Sequence, residues 1–151
     1  MLFRSTSADN CAVNTFTSDA APGDTFPVGT TTVTYTAEDI YGNTTTSTFN
    51  ITVTDDEAPS ISGMPANITQ TNDAGNCSAA VTWAAPTSAD NCAVATFTSD
   101  AAPGDTFPVG TTTVTYTAED IYGNTTTAAF NVTVTDDEAP SISGKIGRAH
   151  V

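Results

Sequence analysis

The chain has 151 residues, 38% of them hydrophobic, and a formal net charge of −14 from 17 Asp and Glu against 3 Lys and Arg. The cations Arg4, Lys145 and Arg148 and the single histidine, His150, all lie in the outermost segments, so residues 6–144 hold every acid and no cationic side chain. That balance excludes an internal ion pair and a Lys–Asn isopeptide cross-link, and it makes nucleic acid and anionic membranes poor partners.

Catalysis loses its usual parts for the same reason. Without His, Lys or Arg there is no nucleophile–base pair and no cation to hold an oxyanion or a phosphate. Paired carboxylates for glycoside cleavage remain, but they fall in turns and linkers, where no cleft is implied. Like charges repel over a Debye length of about 10 Å at 0.1 M salt and about 3 Å at 1 M, which suits saline or cation-rich surroundings. The longest apolar runs fall far short of the ~20 residues that span a bilayer, and no charged-then-apolar leader precedes them, so a soluble interior fragment is expected.

In chain order, MLFRS at 1–5 and KIGRAHV at 145–151 resemble translated sequencing adapter and are set apart as non-native. Between them, residues 6–63 recur as residues 87–144. The two copies lie 81 positions apart and differ only at Asn14/Ala95, Ser47/Ala128, Thr48/Ala129 and Ile51/Val132. So long and regular a repeat denotes an array of small domains. It divides the chain into the C-terminal part of a repeat at 6–55, a complete repeat at 56–136 and the start of another at 137–144.

Within the complete repeat, short Thr-, Val- and aromatic-rich runs punctuated by Gly, Pro, Asn and Asp predict strands, with no helical period. They fall at Ser60–Ser62, Asn67–Thr71, Ser78–Trp83, Ala93–Thr98 and near Thr106–Phe107, with Val81 and Trp83 facing one core. TTTVTYTAED, IYGN and TTTAAFNVTVT then predict a hairpin. Val114, Tyr116 and Ala118 alternate with threonines on its first strand, and Phe130, Val132 and Val134 alternate with polar residues on its second. About seven strands in about 81 residues fit an all-β fold of tandem immunoglobulin-like β-sandwich repeats. The 6–55 stretch is expected to leave open strand edges.

Cys77 and Cys92, 15 residues apart, are expected to form a disulfide closing one loop, stabilising by about 3 kcal/mol in the chain-entropy model. The alternative is two buried thiols. A disulfide implies an oxidising, extracellular compartment. Cys11 matches Cys92 in the earlier copy and is expected to be unpaired by truncation.

The order DEAPSISGMPANIT, GNC, APTSADNC, DTFPVGTTTVTYTAEDIYGNTTT and FNVTVTD resembles the HYR (hyalin repeat) domain, an immunoglobulin-like extracellular module of animal surface proteins and large bacterial secreted or surface proteins. FPVGTTTVTYTAxDxxGN is the specific part of the match. Many members carry a second cysteine pair where this chain has Gly63/Met64 and Ala128, or Ser47 in the earlier copy, so one disulfide per domain is expected. The resemblance implies a spacer or adhesion role with no known catalytic residues.

The acids are the main candidates for chemistry. In an immunoglobulin-like sandwich the linker Asp55, Asp56 and Glu57 would approach Asp90 and the Glu119–Asp120 turn. Carboxylates without a basic neighbour repel unless a cation sits among them, and Ca²⁺ takes six to eight such oxygens. The DDEAP linker is loosely similar to the acidic junctions where cadherin-like and bacterial immunoglobulin-like arrays bind Ca²⁺. The plainer alternative is that these acids solvate turns and deter edge pairing. Asp136, Asp137 and Glu138 are the equivalents at the next junction, and Asp9, Glu38 and Asp39 mark the matching end of the first domain.

Weaker candidates are the threonine rows, which also suit any wet strand face, and the turn aromatics Tyr41 and Tyr122, which could stack on a sugar. Sequons at Asn43, Asn50, Asn67, Asn76, Asn124 and Asn131 matter only in a glycosylating host. The expected function is a non-catalytic extracellular structural and adhesion repeat, a spacer or stalk with calcium-stiffened junctions. The alternative is a carbohydrate-binding accessory module of a secreted polysaccharide-active protein. Expected partners are neighbouring repeats and a surface glycan or protein receptor, with no nucleic acid and no membrane insertion.

Overall fold

The computed structural model describes residues 5–144, so the adapter-like ends lie outside the described residues apart from Ser5. The chain divides after Asp56 into two compact units. The described residues form eleven strands and no helix. Alternating threonine and apolar side chains favour this, because a period of two places one set on each face of a pleated strand.

The first unit holds β1 (Val13–Ser18), β2 (Gly29–Asp39) and β3 (Thr44–Val53). They form one antiparallel sheet in the order β1-β2-β3. Phe16, Tyr35 and Phe49 line up on one face, with successive ring centroids 5.4 and 6.2 Å apart.

The second unit holds β4 (Ser60–Ser62), β5 (Ile68–Thr71), β6 (Ser78–Ala80), β7 (Thr87–Ala89) and β8 (Val94–Ser99). It continues with β9 (Thr106–Pro108), β10 (Gly110–Asp120) and β11 (Thr125–Thr135). A four-stranded sheet runs β5-β11-β10-β8, with β5 parallel to β11 and the other pairs antiparallel. Two short antiparallel pairs, β4-β7 and β6-β9, complete it. This is the expected β-sandwich.

Its core is the inward set of the alternation. Val114, Tyr116, Phe130, Val132 and Val134 cluster with Ala79, Val81 and Phe107, all buried. Each large apolar side chain removed from water this way contributes about 1.5–3 kcal/mol. Trp83 packs at its edge, 5.2 Å from the Phe130 ring and 6.0 Å from Phe107, and donates its indole N–H to the Tyr116 hydroxyl at 2.8 Å. The hydrogen bond lets a half-buried indole keep its polar atom satisfied.

Beyond one-residue shifts at strand ends, one boundary and one additional strand differ from the sequence reading. The strand expected over 78–83 stops at Ala80, because the Val81 backbone bonds the 104–105 turn instead: its N–H donates to Asp105 O, and its carbonyl accepts from Gly104 N–H. Thr87–Ala89 forms a strand that was not expected, pairing with Ser60–Ser62. The β8–β10 register slips between Val94 and Thr96, leaving Ala95 in a bulge, and Asn14, its counterpart, sits in the same slip of β1–β2. The copies therefore tolerate a substitution where no cross-strand partner constrains it.

Candidate junction site

The second unit carries its candidate site at its two ends. At the leading pole β10 turns into β11 through residues 121–124, with Gly123 at φ +90°. Glycine meets that left-handed requirement without steric cost. Asp120, only 1% exposed, drives the turn. Its Oδ1 accepts the N–H groups of Tyr122 and Asn124, each at 2.8 Å, and its Oδ2 accepts the Asn124 side-chain amide at 2.7 Å. Burial pushes the Asp120 carboxyl up, but the Asn124 side chain and the turn N–H groups together hold it below the ordinary aspartate value. The first unit builds the same turn. There Asp39 is lowered chiefly by the Asn43 side chain, then by the turn backbone.

Asp120, expected among the cation ligands, is thus engaged on both oxygens within its own turn. Glu119 is exposed and, one residue earlier on the strand, leaves on the opposite face. The structure does not bring these two acids together.

It does bring Glu57 and Asp90 together. They share the lining of a shallow cleft of about 160 Å³ with Ala58, Ser60, Ala89 and Asn91. Asp90 Oδ2 caps the next turn, accepting from Cys92 N–H at 2.8 Å and Ala93 N–H at 3.2 Å. Its Oδ1 is buried and accepts no hydrogen bond. The Ile121 N–H donates to Ala93 O at 3.2 Å, joining this loop to the hairpin turn. Asp55 and Asp56 close the first unit, the former half-buried and the latter exposed. Tyr122 and Tyr41 project from the two equivalent turns, 46% and 74% exposed.

The trailing pole joins the acids of the next junction to a loop, through Asn72 and Gly75, that sequence reasoning did not single out. The backbone of Asn72 donates to Thr135 O at 2.9 Å, extending the β5–β11 pairing. The buried Asn72 side chain accepts the Asp137 N–H at 3.1 Å and donates to Asn76 O at 2.8 Å. Gly75 N–H is held by both carboxylate oxygens of Glu138, at 2.8 and 3.0 Å. The loop 72–77 thereby fixes the departing linker. Its only signal in the sequence is the turn-forming run Asn72-Asp73-Ala74-Gly75-Asn76, which does not name a partner 63 positions away.

The expected Cys77–Cys92 disulfide is not formed, and Cys11, Cys77 and Cys92 are all exposed. The register gives the reason. Cys77 O accepts from Val109 N–H, beside Gly110 at the start of β10. Cys92 lies two residues before Val94, which pairs with Asp120 at the end of β10. A strand of this length spans roughly 30 Å at about 3.3 Å per residue, whereas a disulfide needs Cα atoms about 4.4–6.8 Å apart. The two cysteines occupy opposite poles of one module.

Sheet order, core and paired poles define a tandem immunoglobulin-like β-sandwich repeat. Residues 2–53 and 54–134 match the HYR domain, and the chain belongs to that family. It is 42% identical over 130 residues to hyalin of Strongylocentrotus purpuratus and 43% identical over 128 residues to hyalin of Lytechinus variegatus. The matches cover 82% and 81% of this chain but 11% and 24% of those proteins. A sushi, von Willebrand factor type A, EGF and pentraxin domain-containing protein of Rattus norvegicus is 36% identical over 114 residues, which is 72% of this chain and 3% of that protein.

Proposed function

We propose that the chain is a non-catalytic, adhesion-type structural repeat of an extracellular protein, acting as a spacer whose junctions calcium stiffens. Membership of the HYR family and likeness to the hyalins support the module class. The observation that carries the calcium element is the Glu57–Asp90 cleft with its buried, unaccepting Asp90 Oδ1. A buried carboxylate oxygen without a donor is costly, residues 6–144 contain no cationic side chain to answer it, and a hard cation with oxygen ligands fits such a donor set. Glu57 and Asp90 would hold the ion, with further oxygens from the acidic linker and water.

The test is a calcium titration of the 151-residue chain against a chelator control, read by melting temperature and small-angle scattering. At calcium about ten times Kd, linkage raises stability by about 1.4 kcal/mol, and Asp90→Asn combined with Glu57→Gln abolishes the rise. An unchanged melt and unchanged scattering profile would sink the calcium element. Binding of the chain to a glycan array, lost on Tyr122→Ala and Tyr41→Ala, would favour the carbohydrate-binding alternative.

A further inference from the structure

We propose that successive repeats are joined by an inter-module disulfide, linking Cys77 of one module to the cysteine that takes the place of Cys92 in the next. Three observations made within the second unit converge on it. Its two cysteines are exposed and lie one at each pole, too far apart to pair with each other. Glu138 is clamped by Gly75, two residues from Cys77. And Glu57, the counterpart of Glu138 one period of 81 residues earlier, lines the cleft with Asp90, two residues from Cys92.

In a continuous array a single glutamate fills both roles. It is bonded to the trailing loop of the module it leaves and lines the leading cleft of the module it opens. The loop 72–77 of one module and the turn 90–92 of the next then lie against the same short linker. That places a trailing thiol beside a leading thiol at each junction, repeated once per module. The bond would fix the junction covalently, independently of any cation.

Each bond forms by thiol–disulfide exchange with a small disulfide oxidant such as oxidised glutathione. A Cys77 thiolate attacks the oxidant, releasing one reduced glutathione, and the partner thiolate then displaces the second. Two protons leave the protein thiols, one sulfur–sulfur bond is made and one is broken, and two electrons pass to the oxidant.

The test extends the array in its own register, with residues 64–144 written again directly after Gly144. The extended chain is equilibrated in a glutathione redox buffer, and the monomeric fraction is mapped by non-reducing peptide mass spectrometry. The expected product is one cross-link, from Cys77 to the Cys92-type cysteine of the appended copy. Cys11 and the original Cys92 have no trailing-pole cysteine in the module before them, and the appended copy of Cys77 has no module after it, so these three remain thiols or glutathione adducts. Cys77→Ser removes the cross-link with the circular dichroism unchanged. In the unextended 151-residue chain the same buffer yields no Cys77–Cys92 peptide. A Cys77–Cys92 bond within one module, or an extended monomer carrying no cross-link at all, would overturn the proposal.

Discussion

The hairpins β2–β3 and β10–β11 are the same sequence at all but three positions, and they pair in the same register, Gly29 with Val53 and Gly110 with Val134. Their burial differs. Tyr116, Ala118, Phe130, Val132 and Val134 are buried, whereas their counterparts Tyr35, Ala37, Phe49, Ile51 and Val53 are only half-buried. The three substitutions do not explain this, since four of those five pairs are identical residues. What separates them is the opposite layer: the second unit supplies β4, β6, β7 and β9 with Trp83 and Phe107, and the described residues of the first supply a single sheet. Strand pairing is set locally by alternation and the Asp-capped turn, while the core requires the whole repeat.

Substitution at equivalent places should break this comparison most strongly at its centre. Phe130→Ala should cost the second unit about 3–5 kcal/mol through lost transfer energy and a residual cavity. Phe49→Ala should cost the first unit less than half of that, measured by unit-resolved hydrogen exchange in denaturant. A smaller loss is expected at the trailing pole. Asn72→Ala removes a buried side chain with two polar partners and should cost about 1–3 kcal/mol, with faster exchange at Asp137 in NMR spectra.

The two turns should respond alike to acid. Asp39 and Asp120 both sit below the ordinary aspartate value when folded, so their contribution is complete above the unfolded value near 3.9. It is lost as pH falls through the lower folded values. Acid melts of Asp120→Asn and Asp39→Asn should therefore show a shallower loss of stability below about pH 4 than the parent. An unaltered acid limb in both variants would remove the capping account. The smallest effect is expected at the bulge, where Ala95→Asn makes the second copy match the first. Its change should stay within about 0.5 kcal/mol, as at an ordinary surface site.

The hairpin was legible because its alternation is long and its turn carries Gly123 and Asn124 in the required order. The core residues Val81, Val114 and Val132 followed from the same period. Thr87–Ala89 was missed because a short polar segment becomes a strand only through its partner, Ser60–Ser62. The cysteines misled for a related reason: separation along the chain does not reveal that the intervening strands run from pole to pole. Asp120 was legible as an acid at a turn, but its hydrogen bonds from Tyr122 and Asn124 depend on the folded hairpin. At the trailing pole, the Gly75–Glu138 contact joins two turn segments by tertiary folding alone, so no local pattern announces it.

That the two nearly identical hairpins owe their difference in burial to the opposite layer is tested most directly by native-state hydrogen exchange across β2 and β10. Amides of 114–118 should exchange at least about a hundredfold more slowly than those of 33–37, in a single cooperative unit. Equal protection of the two strands would contradict it.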